Sequence, residues 1–111
     1  MADTTKPVPR VRMATTAKAG EVIEVKTLIA HEMENGQRRE SSGQIVPRKI
    51  IKQVTAAFNG REIMRTEWFP AISSNPYLSF FVRVHESGTF TFSWFDDDGS
   101  VITAEQKVTV A

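Results

Sequence analysis

The sequence predicts an all-β protein with two antiparallel sheets packed face to face, and three observations lead to this prediction. Apolar and polar residues alternate with a period of two in successive segments, which is the pattern of half-buried strands. Turn-forming residues separate these segments at intervals of about ten residues. No segment keeps a helical period of about 3.6 residues over several turns. The chain has 111 residues, which is enough for one domain with a modest core.

The alternation predicts the strands in order along the chain. In the first strongly alternating segment, Ile23 and Val25 share one face with Thr27 and Ile29, while charged residues occupy the other face. The predicted strands cover about residues 8–13, 21–29, 50–58, 61–67, 77–86, 89–96 and 101–110. This number and spacing favour an immunoglobulin-like antiparallel β-sandwich of about seven strands. It would have no disulfide, because the sequence has no cysteine.

Turn residues and irregular segments join the predicted strands. Asn59 and Gly60 both tolerate positive φ, which predicts a tight hairpin at this dipeptide. A second turn is predicted at residues 97–100. Two connections are irregular, residues 31–48 and 69–76, because polar residues and prolines replace the alternation there. A loop as long as the first is usually functional or mobile.

Composition limits the possible functions of the single domain, which we expect to span residues 8–111 after a flexible N-terminus at residues 1–7. With 14 basic and 13 acidic side chains, the formal net charge of +1 does not favour nucleic acid as a partner. No uncharged run reaches the roughly 18 residues of a membrane span. The N-terminus is polar, so we expect the chain to be cytoplasmic or to leave the cytoplasm attached to another protein.

Candidate catalytic and metal-binding groups are few. His31 lies near Glu32 and Glu34, but no second histidine stands at a metal-ligand spacing, so a metal or acid–base role is not favoured. The acidic run at residues 96–98, followed by Gly99, partly resembles a calcium loop. Its flanks are predicted strands, which favours an acidic hairpin turn instead. We therefore predict no catalytic residue, no cofactor and no metal site.

The aromatic residues divide into two groups. Five follow the strand alternation and are predicted to lie in the core: Phe58, Phe80, Phe90, Phe92 and Trp94. The other group consists of Trp68, Phe69, Tyr77 and Phe81, which do not fit the inward-facing register. Their positions allow either a partner interface or a second core layer, and both interpretations stay open at this point.

Five strings of residues, in a fixed order, carry a resemblance to a known family. They are HEMENGQRR at 31–39, IVPRKII at 45–51, FNG at 58–60, WFPAISSNPY at 68–77, and GTF at 88–90 with WFDDDGS at 94–100. In this order and spacing they closely resemble the SoxZ family. Its members are the small subunits of the SoxYZ carrier in the bacterial sulfur-oxidising (Sox) system. The resemblance covers about residues 8–110.

The resemblance implies a periplasmic immunoglobulin-like sandwich that has no active site of its own and needs no cofactor. It implies a heterodimer with a SoxY-type subunit, whose C-terminal Gly-Gly-Cys-Gly-Gly arm holds the sulfur intermediate derived from thiosulfate. Other Sox enzymes would be transient partners, whereas nucleic acid and membranes would not be partners. The chain would be exported together with its folded partner, without a signal of its own.

The resemblance also implies a set of partner-facing residues in the two irregular segments. These residues are Met33, Gln37, Arg38, Arg39, Pro47, Arg48, Trp68, Pro70, Asn75, Pro76 and Tyr77. Two alternatives remain within this set: Asn75 and Pro76 could simply form a turn, and Arg48 could pair internally with Glu40 or with an acidic side chain of residues 96–98. A different class of function, a stand-alone immunoglobulin-like module that binds a small ligand or carbohydrate, also remains open.

Overall fold

The structure is a computed structural model that describes residues 8–111, and these residues form eight strands in two packed sheets. In chain order the strands are β1 (Pro9–Arg12), β2 (Thr16–Ala17), β3 (Glu21–Ile29), β4 (Ile51–Phe58), β5 (Arg61–Glu67), β6 (Tyr77–Val84), β7 (Gly88–Asp96) and β8 (Val101–Val110). The smaller sheet has the strand order β1-β3-β6, and the larger has the order β2-β8-β7-β4-β5. This confirms the predicted all-β sandwich. The segment 1–7, expected to be flexible, lies outside the described residues.

The structure adds one strand to the seven predicted. β2 has only two residues, Thr16 and Ala17, and it pairs with β8 in parallel, so the sandwich is not wholly antiparallel. Ala17 is its single buried side chain. A strand of two residues cannot show a period of two, which explains why the sequence pattern did not reveal it.

Aromatic side chains of β7 form the centre of the core. Phe90, Phe92 and Trp94 are fully buried on the inward face of this strand. Phe80 connects the two sheets, because its ring centroid lies 6.4 Å from that of Phe92. Within the larger sheet, Phe58 lies 4.6 Å from Phe90. Each fully buried ring contributes roughly 1.5–3 kcal/mol to stability. The predicted core positions of Phe90, Phe92 and Trp94 are confirmed, whereas Phe58 and Phe80 are only partly buried and pack against that core.

The β4–β5 connection is the predicted tight hairpin. Asn59 and Gly60 have φ angles of 51° and 85°, so both central turn residues adopt the left-handed conformation that this type of turn requires. A β-bulge follows, because the β4–β5 register shifts between Ala56 and Ala57.

The first irregular segment is in fact an extended hairpin, which we call the long hairpin (residues 31–50). Glu34 and Lys49 exchange two backbone hydrogen bonds of 2.9 and 2.8 Å, and Arg39 pairs with Ile45 nearer the tip. Nearly all side chains between these pairs are exposed. A hairpin exposed on both faces shows no apolar alternation, so the sequence pattern could not reveal it. The longest dimension of the molecule is 59 Å. A ten-residue strand such as β8 spans only about 33 Å, so the length of a single strand does not account for this dimension.

Residues 8–111 contain no helix that could cross a lipid bilayer.

Candidate interaction site

The two segments predicted to face a partner meet at one end of the sandwich. The N–H of Asn75 donates a hydrogen bond of 2.6 Å to the carbonyl oxygen of His31. In return, the N–H of His31 donates one of 2.9 Å to Oδ1 of Asn75. Asn75 has a φ of 51°, a left-handed conformation that asparagine tolerates better than most residues. Residues 44 positions apart in the chain are thereby joined in one surface.

His31 occupies a buried position at the base of the long hairpin. Its Nδ1 accepts a hydrogen bond of 2.8 Å from the N–H of Met33, so the ring proton lies on Nε2. That Nε2 donates to Oδ2 of Asp96 at 2.7 Å. Both ring nitrogens are therefore occupied by protein partners. Within residues 8–111, no cluster of three or more potential ligand side chains is arranged to hold a metal.

Asp96 is the buried acceptor that holds the base of the long hairpin. Its side chain is 1% exposed, and its Oδ2 also accepts a hydrogen bond of 2.9 Å from Nζ of Lys49. Partial burial lowers the pKa of Lys49, but hydrogen bonding and charge interaction with Asp96 and Asp98 outweigh this effect and raise the pKa overall. A carboxylate inside a protein needs such partners, because burial without them is strongly unfavourable.

Sequence reasoning did not recognise the role of Asp96, although a signal was present. Asp96 follows Phe90, Phe92 and Trp94 at intervals of two, so it continues their inward-facing register. A carboxylate at an inward position requires a buried donor. The alternation could therefore have separated Asp96 from the two aspartates that follow it.

Arg48 is held by an internal ion pair. Its Nε and Nη2 donate hydrogen bonds of 2.8 and 2.9 Å to the two carboxylate oxygens of Asp97, a bidentate geometry. The hydrogen bond from Arg48 lowers the pKa of Asp97. The backbone of Gly36 packs against Arg48, and a Cβ at Gly36 would lie 3.0 Å from that of Arg48. Of the two alternatives for Arg48, the structure contains the internal pair, but half of the side chain remains exposed.

The tip of the long hairpin carries two further arginines. Nη2 of Arg38 donates to Oε1 of Glu34 at 2.8 Å, and this hydrogen bond raises the pKa of Arg38. Nη1 of Arg39 donates to the carbonyl oxygen of Gly43 at 2.9 Å. Both side chains are exposed, so the hairpin presents oriented guanidinium groups to solvent.

The second segment is attached by apolar burial. Trp68 is 8% exposed and belongs to the core cluster. Its backbone N–H donates a hydrogen bond of 2.8 Å to the carbonyl oxygen of Lys52. A groove of about 360 Å³ lies beside it, lined also by Ile72, Pro76 and Tyr77. The indole thus lies at the edge of the core and at the wall of an open groove.

The eleven residues predicted to face a partner differ in exposure. Met33, Trp68 and Pro76 are buried, and Pro70 is half-buried. The remaining seven are exposed: Gln37, Arg38, Arg39, Pro47, Arg48, Asn75 and Tyr77. Direct contact with a partner is therefore open to the second group, whereas buried members can act mainly by shaping the surface. Asn75 lies at a bend of the chain, where its φ is 51°.

The four aromatic residues that did not fit the inward-facing register also divide into a buried and an exposed group. Trp68 packs with the core, whereas Phe69, Tyr77 and Phe81 are 65%, 58% and 68% exposed. Exposed rings of this size are typical of interaction surfaces. Ile45, which is 52% exposed on the long hairpin, is a further apolar candidate that the predicted set omits.

The fold defines an immunoglobulin-like β-sandwich protein, in which the long hairpin and residues 68–77 meet at one end. Solved structures share this fold. A superoxide reductase (neelaredoxin) from Ignicoccus hospitalis matches with a TM-score of 0.72 and 15% identity, over 93% of this chain and 80% of that one. The sulfur carrier protein SoxY from Chlorobium limicola f thiosulfatophilum matches with a TM-score of 0.67 and 10% identity, over 93% and 78%. At such identities the likeness shows the fold alone.

The family is established by the sequence. The family model for the sulphur oxidation protein SoxZ matches residues 11–107, so the chain belongs to the SoxZ family. A comparison with curated proteins gives no match. Membership implies a role in Sox sulfur oxidation together with SoxY. The SoxZ family comprises non-catalytic carrier subunits, and the Sox system is periplasmic.

Proposed function

We propose that this chain is the non-catalytic subunit of a heterodimeric sulfur carrier. It binds a SoxY-type subunit through the surface formed by the long hairpin and residues 68–77, and it presents the cysteine arm of that partner to the other Sox enzymes. The observation that carries this proposal is the reciprocal pair of hydrogen bonds between His31 and Asn75. These bonds join the two segments in which the resemblance to the SoxZ family places the partner-facing residues.

The physical character of this surface supports a role in protein binding. Its base is held by the buried Asp96 and by the bidentate pair of Arg48 and Asp97, so little order has to be gained on binding. Exposed arginine and aromatic side chains such as Arg39 and Tyr77 belong to the residue types that dominate protein interfaces. The surface therefore combines a rigid support with suitable contact groups.

The chemistry of the carrier requires a second subunit. This sequence contains no cysteine, so a covalently held sulfur intermediate has to be attached to a thiol of the partner. A rigid sandwich beside a mobile arm would give several enzymes a common surface to recognise.

Co-purification from the native source tests the proposal. We expect a one-to-one complex with a subunit whose C-terminus carries a glycine-flanked cysteine, identified by intact-mass spectrometry. Arg39→Ala and Tyr77→Ala should each weaken the complex by about tenfold, whereas Thr103→Ala, an exposed position on β8, should not change it. Recovery of homo-oligomers only, or thiosulfate turnover by the purified chain alone, would contradict the proposal.

Export with the partner is the second part of the proposal. In cells that lack the gene for the SoxY-type subunit, we expect the chain to accumulate in the cytoplasm. Restoring the partner with an intact leader should return the chain to the periplasmic fraction, as measured by immunoblot. Periplasmic chain in the absence of the partner would exclude this route.

A further inference from the structure

The edge strands of the two sheets differ in how they are protected. Within residues 8–111, the edges are β1 and β6 in the smaller sheet and β2 and β5 in the larger one. An edge strand presents unpaired backbone groups, and proteins usually protect it with charge, proline, bulges or short length. Three edges have such protection. β2 has two residues, β1 has four that include Pro9, Arg10 and Arg12, and β5 is bulged and carries Arg61, Glu62, Arg65 and Glu67.

β6 is the exception among these edges. Its eight residues pair with β3 in a continuous register without a bulge. The strand contains no proline, and Arg83 is its one charged residue. On its outer face, Tyr77 and Phe81 are more than half exposed. A long, regular and apolar edge is the type of strand that pairs with another chain.

The free backbone groups of β6 can be assigned from its pairing with β3. The N–H of Ile29 donates to the carbonyl oxygen of Pro76, and the N–H of Gly20 donates to that of Val84. Even-numbered positions of this strand therefore direct their backbone groups towards β3. Because the direction alternates along an antiparallel strand, the odd-numbered residues direct theirs towards the open edge. These residues are Tyr77, Ser79, Phe81 and Arg83.

Apolar surface remains uncovered on the inner side of the same strand. Leu78, Phe80 and Val82 face the core but stay partly exposed. The groove beside Trp68 lies at the beginning of β6, and a second groove of about 380 Å³ lies at its end, lined by Ile63 and Val82 among others. An added strand could pair with the backbone of β6 and cover apolar surface beside it.

We propose that β6 pairs antiparallel with an edge strand of the SoxY-type subunit, so that the smaller sheet continues into the partner. This inference rests on the proposed function and specifies the strand through which the two subunits pair. β6 begins at Tyr77, so the edge is continuous with the proposed interaction surface. The solved SoxY structure shares this fold, so we expect an equivalent edge strand in the partner. Equivalent edges can pair about a two-fold axis.

Hydrogen exchange of the purified complex tests the proposal directly. In the free chain, the amides of Ser79, Phe81 and Arg83 should exchange quickly, whereas those of Phe80 and Val82 are already bonded to β3. Complex formation should slow exchange at the three odd-numbered amides by at least about tenfold. Unchanged exchange at these amides in the complex would overturn the proposal.

A proline substitution provides an independent test. Ser79→Pro removes an amide that faces the open edge, and it leaves the hydrogen bonds to β3 in place. We expect it to weaken binding of the SoxY-type subunit by about tenfold to hundredfold. Two matched controls should change binding by less than about threefold: Ser79→Ala, and Glu67→Pro on the charged edge β5. Equal binding by all three variants would refute strand pairing.

The outcomes separate this inference from the proposed function. If the wild-type chain binds no SoxY-type subunit, both are overturned. If it binds, but exchange and proline substitution have no effect at β6, only the strand pairing is overturned. Protection of the β6 amides in a homodimer, without protection in the mixed complex, would assign the edge to a second copy and also refute the inference. Should Ser79→Pro fail to fold, the exchange measurement on the wild-type complex decides.

Discussion

The long hairpin and the segment at residues 68–76 lie at the same end of the sandwich, but they are attached to it by different forces. The long hairpin has few buried apolar side chains of its own, and the buried carboxylate of Asp96 holds its base through His31 and Lys49. The shorter segment is attached by the indole of Trp68, which is packed into the core. The difference teaches that two segments at one end of a sandwich can be anchored by different means, one by polar contacts and the other by apolar burial.

The two attachments should respond differently to their environment. Ion pairs and hydrogen bonds to carboxylates depend on pH, and exposed pairs also weaken with salt. Apolar burial depends on shape and volume and is almost independent of both. Four predictions follow from this difference, beginning with the substitution that should remove most stability.

Asp96→Ala should be the most damaging of these changes. It removes the buried acceptor of His31 and Lys49 and leaves the imidazole N–H without a partner. We expect the free energy of unfolding in urea to fall by about 3–5 kcal/mol. Asp98→Ala, in the same turn but exposed, is the matched control and should lose clearly less. Equal losses in the two variants would mean that the buried carboxylate does not anchor the long hairpin.

Trp68→Ala should be nearly as destabilising, for a different reason. The substitution leaves a cavity at the edge of the core, and we expect a loss of about 3 kcal/mol in the same urea titration. This loss should be the same at low and at high salt. Phe69→Ala, whose ring is 65% exposed, should change stability by less than about 0.5 kcal/mol. A Trp68 variant as stable as the Phe69 variant would place the indole outside the core.

Asn75 joins the two segments, and its substitution should have an intermediate effect. Asn75→Ala loses the hydrogen bond to the His31 amide and places alanine at a φ of 51°. We expect a loss of about 2 kcal/mol. Asn75→Gly loses the same hydrogen bond but tolerates this backbone conformation, so its loss should be about 1 kcal/mol smaller. Equal thermal stabilities for the two variants would show that backbone strain plays no part.

The acidic turn should add a small dependence on pH. Hydrogen bonds from the Ser100 hydroxyl and amide lower the pKa of Asp98 from 3.8 to about 2, and Arg48 lowers that of Asp97. The folded state therefore binds fewer protons than the unfolded state in this range. The stability that these two carboxylates contribute is fully present above about pH 4. The contribution of Asp98 is lost as the pH falls to about 2.

Urea midpoints at several values of pH test this prediction. Between pH 4 and 2, Asp98→Asn should lose less stability than the wild type, because its amide does not titrate. Trp68→Ala should keep the wild-type slope, since the indole does not titrate either. Parallel curves for the wild type and Asp98→Asn would contradict the assigned pKa.

Local patterns were sufficient for most of the fold. The predicted bounds of β3, β5 and β8 agree with those observed, and the Asn59–Gly60 hairpin has the expected positive φ angles. The pattern failed where side chains are exposed on both faces, as in the long hairpin, and where a strand has only two residues, as in β2. In both cases there is no alternation between a buried and an exposed face from which a strand could be predicted.

For the candidate site, the five strings of residues marked two segments that the structure brings together, but they did not predict the exposure of each residue. Met33 and Trp68 belong to those strings, yet both are buried. A string of residues shared by a family can serve packing as well as binding, and sequence alone does not separate the two.

By itself, the sequence determined seven of the eight strands in residues 8–111, the inward-facing set that includes Phe92 and Trp94, the lack of a thiol, and membership of the SoxZ family. Only the tertiary structure decided that His31 pairs with Asp96, 65 residues away, and that Asn75 joins the two segments. It also decided that β6 ends its sheet with an open edge. The reason is physical: alternation is imposed on each strand locally by one buried face, whereas polar pairs and free edges depend on how distant strands pack together.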